Sequence, residues 1–135
     1  MWDRLFKPMD VMQKSLSASW TRNAVIRNNI ANIETPRFKA SVVEFESLMA
    51  RAIHEGRFIG ARTHEGHREF GSANLNAIEP RIVQSRALSM RLDGNNVDIE
   101  SENVRMAQNS LFYNTVMEKL NSEIRRLRMA INEGR

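Results

Sequence analysis

The chain has 135 residues, enough for one modest domain or for one helical hairpin with a connecting segment, and it contains no cysteine, which excludes disulfides, thiolate metal sites and thiol catalysis together. With 41% hydrophobic and 27% charged residues it has the balance of a chain that folds in water, and no run approaches the ~18 consecutive apolar residues that cross a bilayer. The formal charge is +4, and the excess lies in residues 1–40, where seven Lys/Arg face three Asp/Glu; residues 41–95 balance at seven against seven and 96–135 at six against six.

The opening stretch Met1-Trp2-Asp3-Arg4-Leu5-Phe6-Lys7-Pro8 lacks the apolar core and small-residue cleavage site of a secretory signal. Trp2 and Phe6 can anchor it on a partner or membrane surface, but ordinary packing onto the C-terminal helix is the simpler expectation. The first strong pattern follows. Alternating steps of three and four pick out Met9, Met12, Leu16, Ser19, Asn23, Ile26, Ile30 and Ile33, six of them apolar, which predicts a helix over 8–35 with one seam in heptad register. Pro8 suits a first helical turn, where its missing N–H costs nothing, and Thr35-Pro36 marks the end because the proline ring disfavours helix at the residue before it.

The middle, 56–96, is predicted as loop and extended chain, preceded by a short helix over 43–55 with Phe45, Leu48, Met49, Ala52 and Ile53 on one side. Gly56, Gly60, Gly66 and Gly71 recur among polar residues without a period, the pattern of a loop. Ile82-Val83 and Leu88–Leu92 suit extended chain, the latter alternating in and out, before a turn at Asp93-Gly94-Asn95-Asn96. The last element is a helix over 98–132. Its predicted seam is Met106, Ser110, Tyr113, Met117, Leu120, Ile124, Leu127 and Ile131, with Asp98 as N-cap, Glu100 and Glu102 in the first turn and Arg125, Arg126 and Arg128 towards the far end.

These lengths matter. At ~1.5 Å per residue the two helices are roughly 40 and 50 Å long, whereas a compact domain of this size is about 35–40 Å across. The fold class expected is therefore mainly α, with the terminal helices paired as an extended coiled-coil-like hairpin in one rod-type unit, 1–135. Such a hairpin leaves Val11, Ala24, Ala31, Val104, Ala107, Leu111 and Val116 partly wet. Burying each large one is worth about 1.5–3 kcal/mol, and a neighbouring subunit is the simplest place to do so.

No catalytic, cofactor or metal site is predicted. His64-Glu65-Gly66-His67 has a spacing that can clip a metal on a helix, but Gly66 and the loop composition argue for solvated histidines. No serine or threonine has an evident base partner, and no glycine-rich phosphate loop precedes a helix, so no small-molecule substrate is expected. The alternative class is a basic helical nucleic-acid-binding protein. Against it, Lys7 and Lys14 share a face from which Arg22 and Arg27 rotate away.

One segment carries more. Asn23, Asn28, Asn29 and Asn32 fall within ten residues of a helix although asparagine is a mediocre helix former. Such residues can hydrogen-bond across a helix seam and set its register, can satisfy the last helical carbonyls, or can simply mark a frayed end. The run Asn28-Asn29-Ile30-Ala31-Asn32-Ile33-Glu34-Thr35-Pro36-Arg37-Phe38-Lys39 resembles the N-terminal signature of the flagellar rod and hook family, Asn-Asn-x-Ala-Asn-x-x-Thr-Pro-Gly-Tyr-Lys. It matches at Asn28, Asn29, Ala31, Asn32, Thr35, Pro36 and Lys39, with Phe38 for the tyrosine; Arg37 replaces a glycine that often supplies positive φ. Asp93-Gly94-Asn95-Asn96-Val97-Asp98 is similar to the run that opens the long terminal helix of proximal rod members of that family, and Ala107-x-Asn109-Ser110-Leu111-x-Tyr113 continues the likeness.

The resemblance implies a self-assembling structural subunit of the bacterial flagellar basal body, in the part of the hollow rod nearest the membrane. It also implies export without a cleaved signal. The partners it implies are copies of the chain, other rod subunits, the adaptor protein at the rod base and the export gate, with no nucleic acid.

Overall fold

The computed structural model describes residues 2–55, 78–89 and 91–133. Five elements follow in chain order: α1 (Trp2–Ala31), β1 (Ser41–Glu44), α2 (Glu46–Glu55), β2 (Arg81–Gln84) and α3 (Ile99–Glu133). The long helices α1 and α3 pack against each other, and the β1–β2 pair and α2 lie along another side of α1. The class is mainly α, as the periodicity predicts.

α1 begins earlier than the predicted residue 8, and Pro8 lies inside it. A proline withholds a single N–H, so the helix can run through it with one intrahelical bond missing. The far end comes earlier too, at Ala31 rather than Thr35. There the Asn32 amide is shared between the Asn28 and Asn29 carbonyls, at 3.2 Å each, and the Ile33 and Thr35 amides reach back only three residues. The helix thus tightens into successive turns before the proline acts. Ile33, predicted as the last seam position, sits in those turns and not on the helix.

The segment 43–55 divides differently from expectation. Ser41–Glu44 pairs antiparallel with Arg81–Gln84, in a register that places Val42 opposite Val83 and Val43 opposite Ile82. A run of β-branched residues next to a partner of the same kind favours the ladder over a helical start. α2 then begins at Glu46, and the Met49 amide bonds the Phe45 carbonyl at 2.8 Å. Phe45 and Met49 are buried with Ala18 of α1 in an apolar cluster, flanked by Val11, Val43 and Ile78. Leu48 and Ala52 are half-buried; the side chain of Ile53 is outside the described set. Val11, expected to be partly wet, is half-buried against this cluster, because Val11, Ala18 and Val25 recur every seven residues along one stripe of α1.

The expected alternation does not hold at the described residues of Leu88–Leu92. Leu88 and Leu92 both lie essentially fully exposed, in irregular chain that leads into the turn at Asp93. α3 starts where predicted, since the Asp98 carboxylate accepts the Glu100 amide at 3.1 Å and caps the first turn.

Candidate functional site

The two sequence motifs, separated by more than fifty residues, meet in space. The turn after α1 leaves backbone carbonyls that the helix no longer uses, and a buried polar side chain takes them up. Asn95, 1% exposed, directs its Nδ2 at the carbonyls of Asn32, Ile33 and Thr35, at 3.0, 2.9 and 2.9 Å. Its Oδ1 accepts the Val97 amide at 2.8 Å, and its own carbonyl accepts a short bond from the Ser89 hydroxyl. The chain continues as a polar zipper. The Arg37 amide donates to the Asp93 carbonyl at 2.9 Å, Lys39 Nζ to the Gly94 carbonyl at 2.7 Å, and the Ala40 amide to Asn96 Oδ1 at 2.7 Å. Arg91 adds a bond to the Ile33 carbonyl at 3.1 Å while pairing with Asp93 at 2.8 Å.

Two residues of this clasp occupy the left-handed region: Gly94 at φ 75° and Arg37 at φ 61°. Arg37 stands where the related signature has glycine, and it adopts the conformation that glycine would supply. The departure therefore leaves the turn's path unchanged and adds strain of about 1–2 kcal/mol.

The remaining motif residues divide clearly. Asn29 is fully buried; its Oδ1 accepts the Ser41 amide at 2.9 Å and its Nδ2 donates to the Ser41 carbonyl at 2.8 Å and to Glu102 Oε2 at 3.1 Å. One amide thus ties α1 to the start of β1 and to α3. Val97 is buried, and Asp98 is the α3 cap. Asn28, Ala31, Thr35 and Pro36 are exposed, with Asn28 acting through its carbonyl, which also accepts the Asn32 side chain at 2.8 Å.

Of the readings open for the asparagine cluster, two apply at different positions. Asn29 bridges the seam, and Asn32 donates to the Asn28 carbonyl in the last turn of α1, while Asn95, from the other motif, takes up the carbonyls beyond it.

Farther along the seam Ser19 and Asn109 form a reciprocal buried pair: the Ser19 hydroxyl donates to Asn109 Oδ1, and Asn109 Nδ2 to the Ser19 carbonyl, both at 2.9 Å. Glu102 is 2% exposed and is held by Asn29 and by Arg105 Nη1 at 2.7 Å. These contacts turn α3 about its axis relative to the predicted stripe. The covered row runs Glu102, Met106, Asn109, Val116, Leu120, Glu123 and Leu127, whereas Ser110, Ile124 and Ile131 lie outside it and Tyr113 is 41% exposed. Met117 stays half-buried at its edge. On α1, Ile26 is buried and Met9, Met12, Leu16 and Ile30 are half-buried.

Sequence reasoning left Asn109 and Glu102 off the α3 seam because it followed apolar residues, and it left Val25 out because Val25 lies beside the chosen α1 row. The usable signal was Ser19, a polar residue on the predicted α1 seam that needs a polar partner across it.

Beyond the clasp the helices keep much apolar surface wet. Val104 is 56% exposed, Leu111 70%, Ile131 74% and Trp20 60%, and Ala24, Ala31 and Ala107 are exposed as well. A groove of about 560 Å³ at the α1–α3 crossing is lined by Leu16, Trp20, Asn23, Arg27, Tyr113 and Asn114, among others.

Among the described residues no group of three or more His, Asp or Glu is placed to hold a metal, and no helix is long and apolar enough to cross a membrane. His54 is exposed; His64 and His67, and the side chains of Trp2 and Phe6, are outside the described set. Of the basic residues on α1, Arg22 is committed to Glu46 of α2 by two bonds at 2.5 and 2.7 Å. That leaves no basic stripe along α1 that includes it.

Comparison with known proteins adds to this geometry. No protein-family model matches the chain. It is 32% identical over 124 residues to the flagellar basal body rod protein FlgB of Bacillus subtilis, covering 92% of each chain. It is 35% identical over 127 residues to FlgB of Aeromonas hydrophila, covering 93% of this chain and 92% of that one. With FlgB of Cereibacter sphaeroides it shares 34% over 123 residues, 91% of this chain and 92% of the other.

Proposed function

The chain belongs to the FlgB family of flagellar basal body rod proteins, and from that premise we propose that it is a non-catalytic, self-assembling structural subunit of the proximal rod. The observation that carries the assembly reading is the combination of a locked helix root with wet helix flanks. Asn29, Asn95 and the Ser19–Asn109 pair hold α1 against α3 in one register. Val104, Leu111 and Ile131 meanwhile stay more than half exposed. A lone chain gains nothing from those side chains, whereas each is worth about 1.5–3 kcal/mol when covered. The buried polar bonds fix geometry and the exposed apolar residues drive association, which is the division of labour a shaft subunit needs.

In this reading the neighbours are copies of the chain and other rod subunits, with the adaptor at the rod base and the export gate below. The chain leaves the cell body through the flagellar export route without a cleaved signal. Met9, Met12, Leu16, Ile26 and Ile30 on α1, with Met106, Tyr113, Met117, Leu120, Ile124, Leu127 and Ile131 on α3, serve helix pairing or contact between subunits. Ile33 serves from the turn that follows α1.

The test is the double substitution Ile30→Asp with Leu120→Asp in cells that depend on this chain for motility. Both side chains are half-buried. The expected result is normal expression, no incorporation into isolated basal bodies and loss of swimming. Swimming cells with the doubly charged variant in their basal bodies would refute the reading.

A further inference from the structure

The groove at the α1–α3 crossing and the outer ridge of α3 match each other in spacing and charge while lying on different faces of the molecule. Trp20 and Tyr113 stand exposed over the groove, and Arg27 lies one heptad beyond Trp20. Among the described residues Arg27 makes no ion pair.

On α3 the face turned away from α1 carries Val104, Leu111 and Glu118, also at seven-residue steps, with Ala107 between the first two. All four are exposed, and Glu118 makes no ion pair among the described residues either. Seven helical residues span about 10 Å, so the step from Trp20 to Arg27 equals the step from Leu111 to Glu118. Two helices with matching heptad rows pack side by side at a shallow angle, which preserves that correspondence over two turns.

We infer that the occupant of the groove is the α3 ridge of a second copy of this chain, its Leu111 seated between Trp20 and Tyr113 and its Glu118 facing Arg27. The ridge runs parallel to the α1 that receives it, and its Val104 then lies beyond Leu16 towards Gln13. Because groove and ridge occupy different faces, the contact is heterologous. Each copy offers a ridge to one neighbour and a groove to another, and such a contact propagates as a ring or a helical row and does not stop at a dimer. The inference rests on the rod-subunit reading and specifies which faces meet.

The absence of cysteine makes the test clean. In the proposed register Ala107 of one copy lies over Ser17 of the next, and both positions are exposed. Cells co-expressing the full chain as Ser17→Cys and as Ala107→Cys supply basal bodies, which are oxidised mildly and resolved without reductant. The expected product is a mixed disulfide between the two forms. Its yield falls at least fivefold with Arg27→Glu in the Ser17→Cys form and recovers when Glu118→Arg is added to the Ala107→Cys form.

Incorporation of both forms without a mixed disulfide overturns the contact and leaves the rod reading standing. So do Ser17–Ser17 products alone, or disulfides to a different protein. Failure of the unsubstituted chain to enter basal bodies removes both.

Discussion

Replacing Asn95 by alanine takes away the buried side chain that closes the end of α1 onto the turn before α3. Its amide donors serve three carbonyls, and its oxygen serves the Val97 amide, at a position 1% exposed. Alanine leaves the buried Val97 amide without a partner, costing about 1–3 kcal/mol, and takes one donor from each of three carbonyls that keep bonds from the Thr35 amide, Arg91 and the Phe38 amide; the total is about 3 kcal/mol. At about 1.4 kcal/mol per factor of ten, the closed clasp then loses roughly a hundredfold in population against its open form.

Hydrogen exchange at the Arg37 amide reads this directly in the full chain, because that amide bonds the Asp93 carbonyl across the clasp and has no bond to Asn95 itself. Protection is expected to fall about 100-fold in Asn95→Ala and further in Asn95→Asp, where a carboxylate faces three carbonyls. Asn28→Ala, which removes an exposed side chain from the same motif, should change it less than threefold. Equal protection in Asn95→Asp and the parent chain would show that the clasp does not hold the junction.

Three further outcomes follow from the same geometry. Arg37 sits at φ 61°, so Arg37→Gly should raise the urea midpoint by the equivalent of about 1 kcal/mol, and Arg37→Val should lower it by more, since a β-branched residue tolerates that conformation least. A double-mutant cycle over Ser19→Ala and Asn109→Ala should return a coupling of about 1 kcal/mol or more in the same unfolding measurement. Additive effects would mean the pair is adjacent without being joined. His64→Ala and His67→Ala should enter basal bodies in unchanged amount; loss of either from the purified rod would reopen a role for the histidines.

Local order was legible because helical periodicity, capping and proline placement act within a few residues. Asp98 could be named as a cap from its position alone, and α3 begins beside it. The strand at Ser41–Glu44 was not legible. Its pairing partner lies some forty residues on, and Val42-Val43 read equally well as the start of a helix until Ile82-Val83 came alongside. Part of the α3 seam was missed for a related reason. Alternating steps of three and four carried Ser110, Ile124 and Ile131 into the predicted row along with Met106, Leu120 and Leu127, which are covered. Instead the rotation of α3 follows Asn109 and Glu102, which must find partners on α1 once buried.

By itself, then, the amino-acid order determined two long amphipathic helices at the ends, a break near Thr35-Pro36, a capped start at Asp98 and a pair of motifs whose wording resembles one family. Only the tertiary structure decided that the two motifs are halves of one clasp. It also decided that Asn95 supplies what the end of α1 lacks, and which apolar residues remain for a neighbour. Those outcomes depend on polar groups meeting across long stretches of chain, and a periodic pattern carries no information about which distant partner will satisfy them.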